Sequence, residues 1–148
     1  MGTLDDYKLV KIAEVCTYER AKKGKVYKKG SFCVQVSATR GQTMYIEKDQ
    51  EIDAKYLVFT LKDGIYNSKY IYIMFTMFLK EFLMRVQTGI NIVPEVFEEY
   101  EIFIHQDINI QNKIEEIISG IDERIQEEEK EIQNCKDLKK YHLETMFV

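Results

Sequence analysis

At 148 residues with 45% hydrophobic and 31% charged content, the chain carries enough apolar material for one ordinary core, which excludes wholesale disorder. Cys16, Cys33 and Cys135 are odd in number and lack paired spacing, which fits reduced thiols rather than a disulfide framework or a metal knot. The longest apolar run, Tyr70 to Leu79, is ten residues and is followed by Lys80, Glu81 and Arg85, too short and interrupted for a bilayer span, and the acidic opening MGTLDDYKLVK lacks a signal-length apolar stretch. A cytoplasmic protein is expected.

The net charge of −4 is unevenly spread. Residues 1–42 carry a net +5, residues 43–100 a net −3 and residues 101–148 a net −6. Screening cuts off distant charge beyond roughly 8 Å at physiological salt, so local sign decides whether a polyanion is attracted. The basic amino-terminal third is the candidate nucleic-acid face.

In chain order, Lys8 to Glu19 opens with apolar alternation, and Arg20 to Lys29 then forms a basic cluster that Gly30 closes. Ser31 to Ser37 alternates as a strand, bounded by Gly30 and the turn Ala38-Thr39-Arg40-Gly41. Met44–Ile46 and Ala54–Leu61 extend the β pattern into a small, twisted, mixed sheet. Asn67 or Ser68 caps a helix over roughly Ser68–Thr88, with Tyr70, Ile73, Met77, Phe78, Phe82 and Val86 near one side and Gly89 as its left-handed stop. Two further strands are expected at Ile90–Val93 and Tyr100–Ile104, around the only proline, Pro94. Helix resumes from Ile110, with Gly120 marking a kink or boundary.

From Ile108 onward the dominant signal is a stripe. Ile114, Ile118, Ile121, Ile125, Ile132, Cys135, Leu138 and Met146 recur at a 3-4 rhythm against a Glu- and Lys-rich opposite face. A helix of about 25 residues is about 37 Å long, more than a small domain covers, so part of the stripe needs a partner. Glu128 and Lys139 interrupt the seam, which disfavours a parallel homodimeric zipper and suits an antiparallel pair whose 128 and 139 levels meet.

No catalytic engine is legible: there is no glycine-rich phosphate loop, no dinucleotide fingerprint and no Asn-Pro-Pro-Tyr or Asp-Pro-Pro-Tyr phrase. His105 and His142 are isolated and read as a strand-edge and a helix-surface residue; Cys33 reads as a small buried hydrophobe. Glu98-Glu99 and Glu127-Glu128-Glu129 read as solvated surface. Basic residues interleaved with tyrosines are the positive signal. Tyr18, Arg20, Lys22, Lys23, Lys25, Tyr27, Lys28 and Lys29 suit phosphate contacts, although a merely solvated loop has the same composition. Base reading needs paired donors and acceptors, which Gln35, Thr39, Arg40 and Gln42 offer on a strand and its turn, with Arg40 suited to guanine or to a salt bridge on that turn. Gln87, Thr88 and Asn91 around Gly89 make a second polar turn.

Gln111, Lys113-Ile114, Ile117-Ile118-Ser119, Ile121-Asp122-Glu123-Arg124-Ile125, the acidic stretch, Leu138-Lys139-Lys140 and Met146-Phe147 together resemble the helical region that follows a target-recognition domain in specificity subunits of type I restriction-modification systems. Upstream, Tyr70 to Phe75, Gln87 to Asn91 and Phe97 to Ile104 look like the tail of such a domain. His105-Gln106-Asp107 stands where family members usually carry a proline-rich phrase. The resemblance implies an α+β target-recognition domain at residues 1–107 and a long helical dimerisation and docking arm at 108–148, half of a full subunit. It implies a non-catalytic protein that binds double-stranded DNA and pairs with a second copy or another specificity subunit. An adenine methyltransferase subunit, which itself binds S-adenosylmethionine, and a restriction subunit are the implied partners. The alternative is a decoy that keeps the arm but no longer reads DNA productively.

Overall fold

Four aromatic residues stand opposite one another across four strands, and their packing lays out the amino-terminal unit in the computed structural model, which describes residues 5–38 and 41–147. Tyr18, Phe59, Phe32 and Tyr45 occupy one cross-strand row of the antiparallel sheet β2–β7–β4–β5, formed by Cys16–Arg20, Tyr56–Leu61, Phe32–Gln35 and Thr43–Tyr45. Phe32 stacks on Phe59 at 5.4 Å, and both meet Phe75 from helix α2 (Ser68–Met77) at 5.0 and 4.9 Å. Phe97, in a 3-10 turn over Pro94–Glu99, closes on Phe59 edge-on at 5.3 Å. Each such pair adds roughly 0.5–1.5 kcal/mol beyond the area it buries. Because strand side chains alternate, the other face presents Cys33 and Val58, which pack with Ala21, Tyr27, Ile46 and Ile52 in a second cluster. A two-stranded ribbon, β3 (Val26–Tyr27) with β6 (Gln50–Glu51), carries part of that cluster.

A third antiparallel pair joins β1 (Tyr7–Lys11) to β8 (Glu101–His105), with Ile102 and Ile104 buried and Tyr7 and Leu9 exposed. One turn of helix, α1 (Ile12–Val15), links β1 to β2. Every described pairing is antiparallel, where a mixed sheet was expected.

Four local expectations are corrected. The helix expected over Ser68–Thr88 breaks at Phe78 into α2 and α3 (Leu79–Val86). Tyr100 donates its hydroxyl proton to the Phe75 carbonyl at 2.5 Å, the group an unbroken helix offers to the Leu79 N–H. The break resets the phase: Met77 and Phe78 turn outward, while Ile71, Met74, Phe75, Leu79, Phe82 and Leu83 are buried. Gly89 does not have a positive φ, because α3 already ends at Val86 with Gln87 as its cap. Among the described residues Ile90–Val93 forms no strand; the Asn91 side chain accepts the Ala38 N–H at 2.8 Å, and the Ile92 N–H reaches the Val36 carbonyl. Gly120 does not kink the last helix, α4, which runs unbroken over Ile108–Met146, about 58 Å at 1.5 Å rise per residue.

The start of α4 is held by side chains. Asp107 accepts the Asn109 N–H at 2.8 Å, satisfying one of the helix's free donors. Gln111 is buried; its amide donates to the His105 carbonyl at 2.7 Å and its oxygen accepts the Asn67 N–H at 3.0 Å. Asn67 in turn caps α2 through Tyr70 N–H, as its sequence position suggests, and Tyr70 bonds His105 Nδ1 at 2.6 Å. These side chains, not a proline phrase, hold the first turn of α4. The chain divides into two compact units, Met1–Asn112 and Lys113–Val148.

Candidate nucleic-acid interface

The basic segment folds around β3, and three of its six positive charges are met by nearby acids. Glu19 on β2 receives Lys22 at 3.0 Å and Lys25, and Lys28 pairs with Asp49 at 2.9 Å. The Lys29 backbone N–H also bonds Asp49, at 2.9 Å, and the Gly24 N–H reaches Glu51 at 3.2 Å. Lys23 and Lys29 are exposed, and neither side chain takes part in an ion pair among the described residues. Tyr27 is buried, its oxygen accepting the Lys22 N–H at 3.1 Å and its proton going to Glu19 at 3.2 Å. Tyr18 donates to Glu98, and burial with that carboxylate pushes its hydroxyl up to about 12. Arg20 donates to the Ala54 carbonyl at 2.8 Å and to the Ser37 hydroxyl at 2.5 Å. Three of the eight basic and tyrosine residues thus position the fold around the loop, and Lys23 and Lys29 retain the most available charge.

Lys25 and then Lys22, hydrogen-bonded to Glu19, hold its carboxyl down to about 2 from an ordinary 4.5. A depressed carboxylate stabilises the fold above its unfolded value and loses that contribution as pH falls through the folded one. Acid titration of the wild type is therefore expected to show a loss of stability between about pH 4.5 and 2 that Glu19→Gln lacks, read by denaturant midpoint at each pH. Identical acid limbs in the two proteins would contradict the assignment.

The two polar turns meet. Ala38, Gln42, Lys80, Leu83, Met84, Gln87, Gly89 and Ile90 line one cleft of about 890 Å³. The Ala38–Asn91 hydrogen bond pins its two lips together. Gly41 sits in the left-handed region at φ +87°, where any side chain is strained, and a Cβ there would lie 2.3 Å from Leu83 Cδ1 and displace the end of that side chain. Gln35 is held back from the cleft's polar set, its amide donating to the Ser37 carbonyl at 2.9 Å. Thr39 and Arg40 lie outside the described residues. Lys80 joins the cleft from α3 and had no signal in the sequence, because only the break at Phe78 brings it there.

The buried Cys16 and Cys33 thiols are each pushed up to about 12, chiefly by burial, which leaves no thiolate at neutral pH. No group of three or more His, Cys, Asp or Glu side chains among the described residues is arranged to hold a metal. No described helix is long and apolar enough to cross a membrane.

On α4 the predicted stripe is present and open. Ile121, Ile125, Ile132, Cys135, Leu138 and Met146 are all exposed, and Ile114 and Ile118 are half-buried.

Comparison with known families places this arrangement. The type I restriction modification DNA specificity domain matches residues 6–136, which covers both the sheet domain and most of the helix. The chain belongs to that family. Specificity domains of this family are non-catalytic. Among solved structures, the S subunit of a type I restriction-modification system from M. genitalium superposes with a TM-score of 0.71 at 10% identity, over 88% of this chain and 42% of that one. A chain from a study of complex assembly and conformational transition of the type I R-M system gives a TM-score of 0.64 at 13% identity, over 84% of this chain and 40% of that one. At those identities the likeness is one of fold: antiparallel sheets followed by a long helix. The specificity domain described here spans less than half the length of either chain. No curated protein sequence matches it.

Proposed function

We propose that this specificity domain reads double-stranded DNA through residues 1–107 and uses residues 108–148 as a dimerisation and docking arm. The observation that carries the reading is the family match at residues 6–136, which runs without interruption from the sheet domain into the exposed isoleucine stripe. Phosphate contacts come first from Lys23 and Lys29, the two lysines of the basic segment with unengaged side chains, and from Lys22, Lys25 and Lys28 where a phosphate displaces Glu19 or Asp49. Base contacts come from the paired turns: Gln42 and Gln87 share the cleft, Asn91 braces it, and Arg40 and Thr39 stand between its two placed ends in sequence. A glutamine amide matches adenine N6 and N7, and an arginine matches guanine O6 and N7, each good bidentate contact discriminating by roughly 1–3 kcal/mol.

The protein carries out no chemistry of its own. In the cytoplasm it brings an adenine methyltransferase subunit, with the S-adenosylmethionine that subunit binds, to the site, and a restriction subunit in systems that have one. Two copies joined antiparallel through the arms place two reading heads in two-fold relation, so the DNA site is split and palindromic. Pairing with a different specificity subunit gives an asymmetric site instead.

A decoy that binds the methyltransferase without reading DNA has one observation in its favour: the neutralisation of Lys22, Lys25 and Lys28 within the domain. Binding to random duplex DNA across a salt series separates the two. The reading head gives a log–log loss of affinity of about 0.9 per phosphate contact, whereas a decoy gives no binding even with the methyltransferase present.

A further inference from the structure

The charge pattern of α4 selects one partner and one register. With no kink at Gly120, positions 121, 125, 128, 132, 135, 139, 142 and 146 form one continuous seam, stepping by four and three. Described residues from 121 onward are all exposed, so the whole seam is free. A shallow groove on it is lined by Glu128, Glu131, Ile132, Cys135, Lys136 and Lys139. Those six residues are symmetric about a point between Gln133 and Asn134: 128 mirrors 139, 131 mirrors 136 and 132 mirrors 135.

We propose that this groove takes the same groove of a second copy, antiparallel, with the two-fold axis between Gln133 and Asn134. The proposal rests on the dimeric reading above and fixes its register. Ile132 then packs on the second copy's Cys135, Ile125 on its His142 and Ile121 on its Met146. The two polar interruptions find each other, since Glu128 meets the second copy's Lys139 and, by symmetry, Lys139 meets its Glu128. Beside the seam Glu129 meets the second copy's Lys136, also twice. Arg124 already pairs with Glu128 along the helix at 3.2 Å, and the incoming lysine joins that exposed pair.

Other arrangements lose this complementarity. A parallel in-register pair stacks Glu128 on Glu128 and Lys139 on Lys139. An antiparallel pair slid by one heptad sets Glu129 against its own copy in one direction and Lys136 against its own copy in the other, and opposes both polar seam residues with non-complementary groups. Like charges in contact oppose pairing by about as much as opposite charges favour it. Polar seam residues of this kind fix register rather than add strength. The overlap runs from Ile121 to Met146, about 39 Å at 1.5 Å rise per residue, and leaves out Ile114 and Ile118, which are already half-buried.

The test is a charge swap in the full chain, read by sedimentation equilibrium at low salt. Glu128→Lys alone and Lys139→Glu alone each place like charges at two levels, and each is expected to weaken the dimer by roughly tenfold or more. An equimolar mixture of the two variants regains wild-type affinity as a heterodimer, because both levels are again opposite in sign; the double variant regains it alone. The mixture also controls for loss of the Arg124 contact, which mixing does not restore. A wild-type dimer with unaffected single variants, or a mixture no tighter than its components, overturns the register while leaving dimerisation standing. A wild-type chain that stays monomeric at every concentration overturns the dimeric reading and this register with it.

Discussion

Replacing Ile125 and Ile132 with aspartate yields a monomer that no longer recruits a methyltransferase subunit, as measured by sedimentation and co-purification. Both side chains are about half exposed in the single chain, at 48% and 55%, so neither supports its own helix by burial. Their apolar surface is removed from water only when a second helix covers it. Full burial of an isoleucine is worth roughly 1.5–3 kcal/mol, and a symmetric pair buries four of them. Aspartate forfeits that burial and adds the cost of desolvating a carboxylate at each level. The expected weakening is on the order of a thousandfold or more, with the helix content of the monomer retained because α4 is otherwise solvent-facing. A dimer that persists in the double variant would show that the stripe is not the joint.

Lys23→Glu with Lys29→Glu is expected to weaken binding to all duplex DNA by roughly tenfold to a hundredfold at physiological salt, and to make the salt dependence shallower by about 1.8 in log–log slope. These lysines are chosen from the structure, because Lys22, Lys25 and Lys28 already neutralise acids and their loss mixes folding with binding. Phosphate contacts carry no sequence information, so random and cognate duplexes lose affinity together. Gln87→Ala acts in the opposite sense, relaxing sequence choice with the salt slope unchanged. Lysine variants that leave the slope at its wild-type value would remove this loop from the DNA face.

The parts of the fold that were legible in the sequence are those set by local pattern. Alternation around Phe32 to Gln35 and Tyr56 to Leu61 marks strands because one side chain in two must face a core, and Asn67 marks a cap because its oxygen suits a free N–H. The isoleucine stripe is likewise a local periodicity, and it survives intact through Gly120. What was not legible depends on residues distant in sequence. The break at Phe78 follows from Tyr100, whose hydroxyl takes the Phe75 carbonyl from 25 positions away. Counting lysines over residues 20–29 gives a strongly basic loop, whereas Asp49 comes from the approach to a strand some 20 residues later and cancels part of it by pairing with Lys28. Gln111 reads as one polar residue in a helix, yet it is buried between Asn67 and His105 and fixes the start of the arm. The cleft shared by Gln42 and Gln87 is of the same kind, two turns 45 residues apart brought together by packing of Leu83 beneath Gly41.

Selection of bound sequences from a pool of fully random duplexes, with the methyltransferase subunit present, tests the central claim most directly. Two identical heads on an antiparallel joint predict an enriched inverted repeat, two short half-sites separated by an unselected gap of constant length. An enriched site with no internal symmetry, or a recovered pool as random as the input, contradicts a two-fold DNA-reading assembly of this chain.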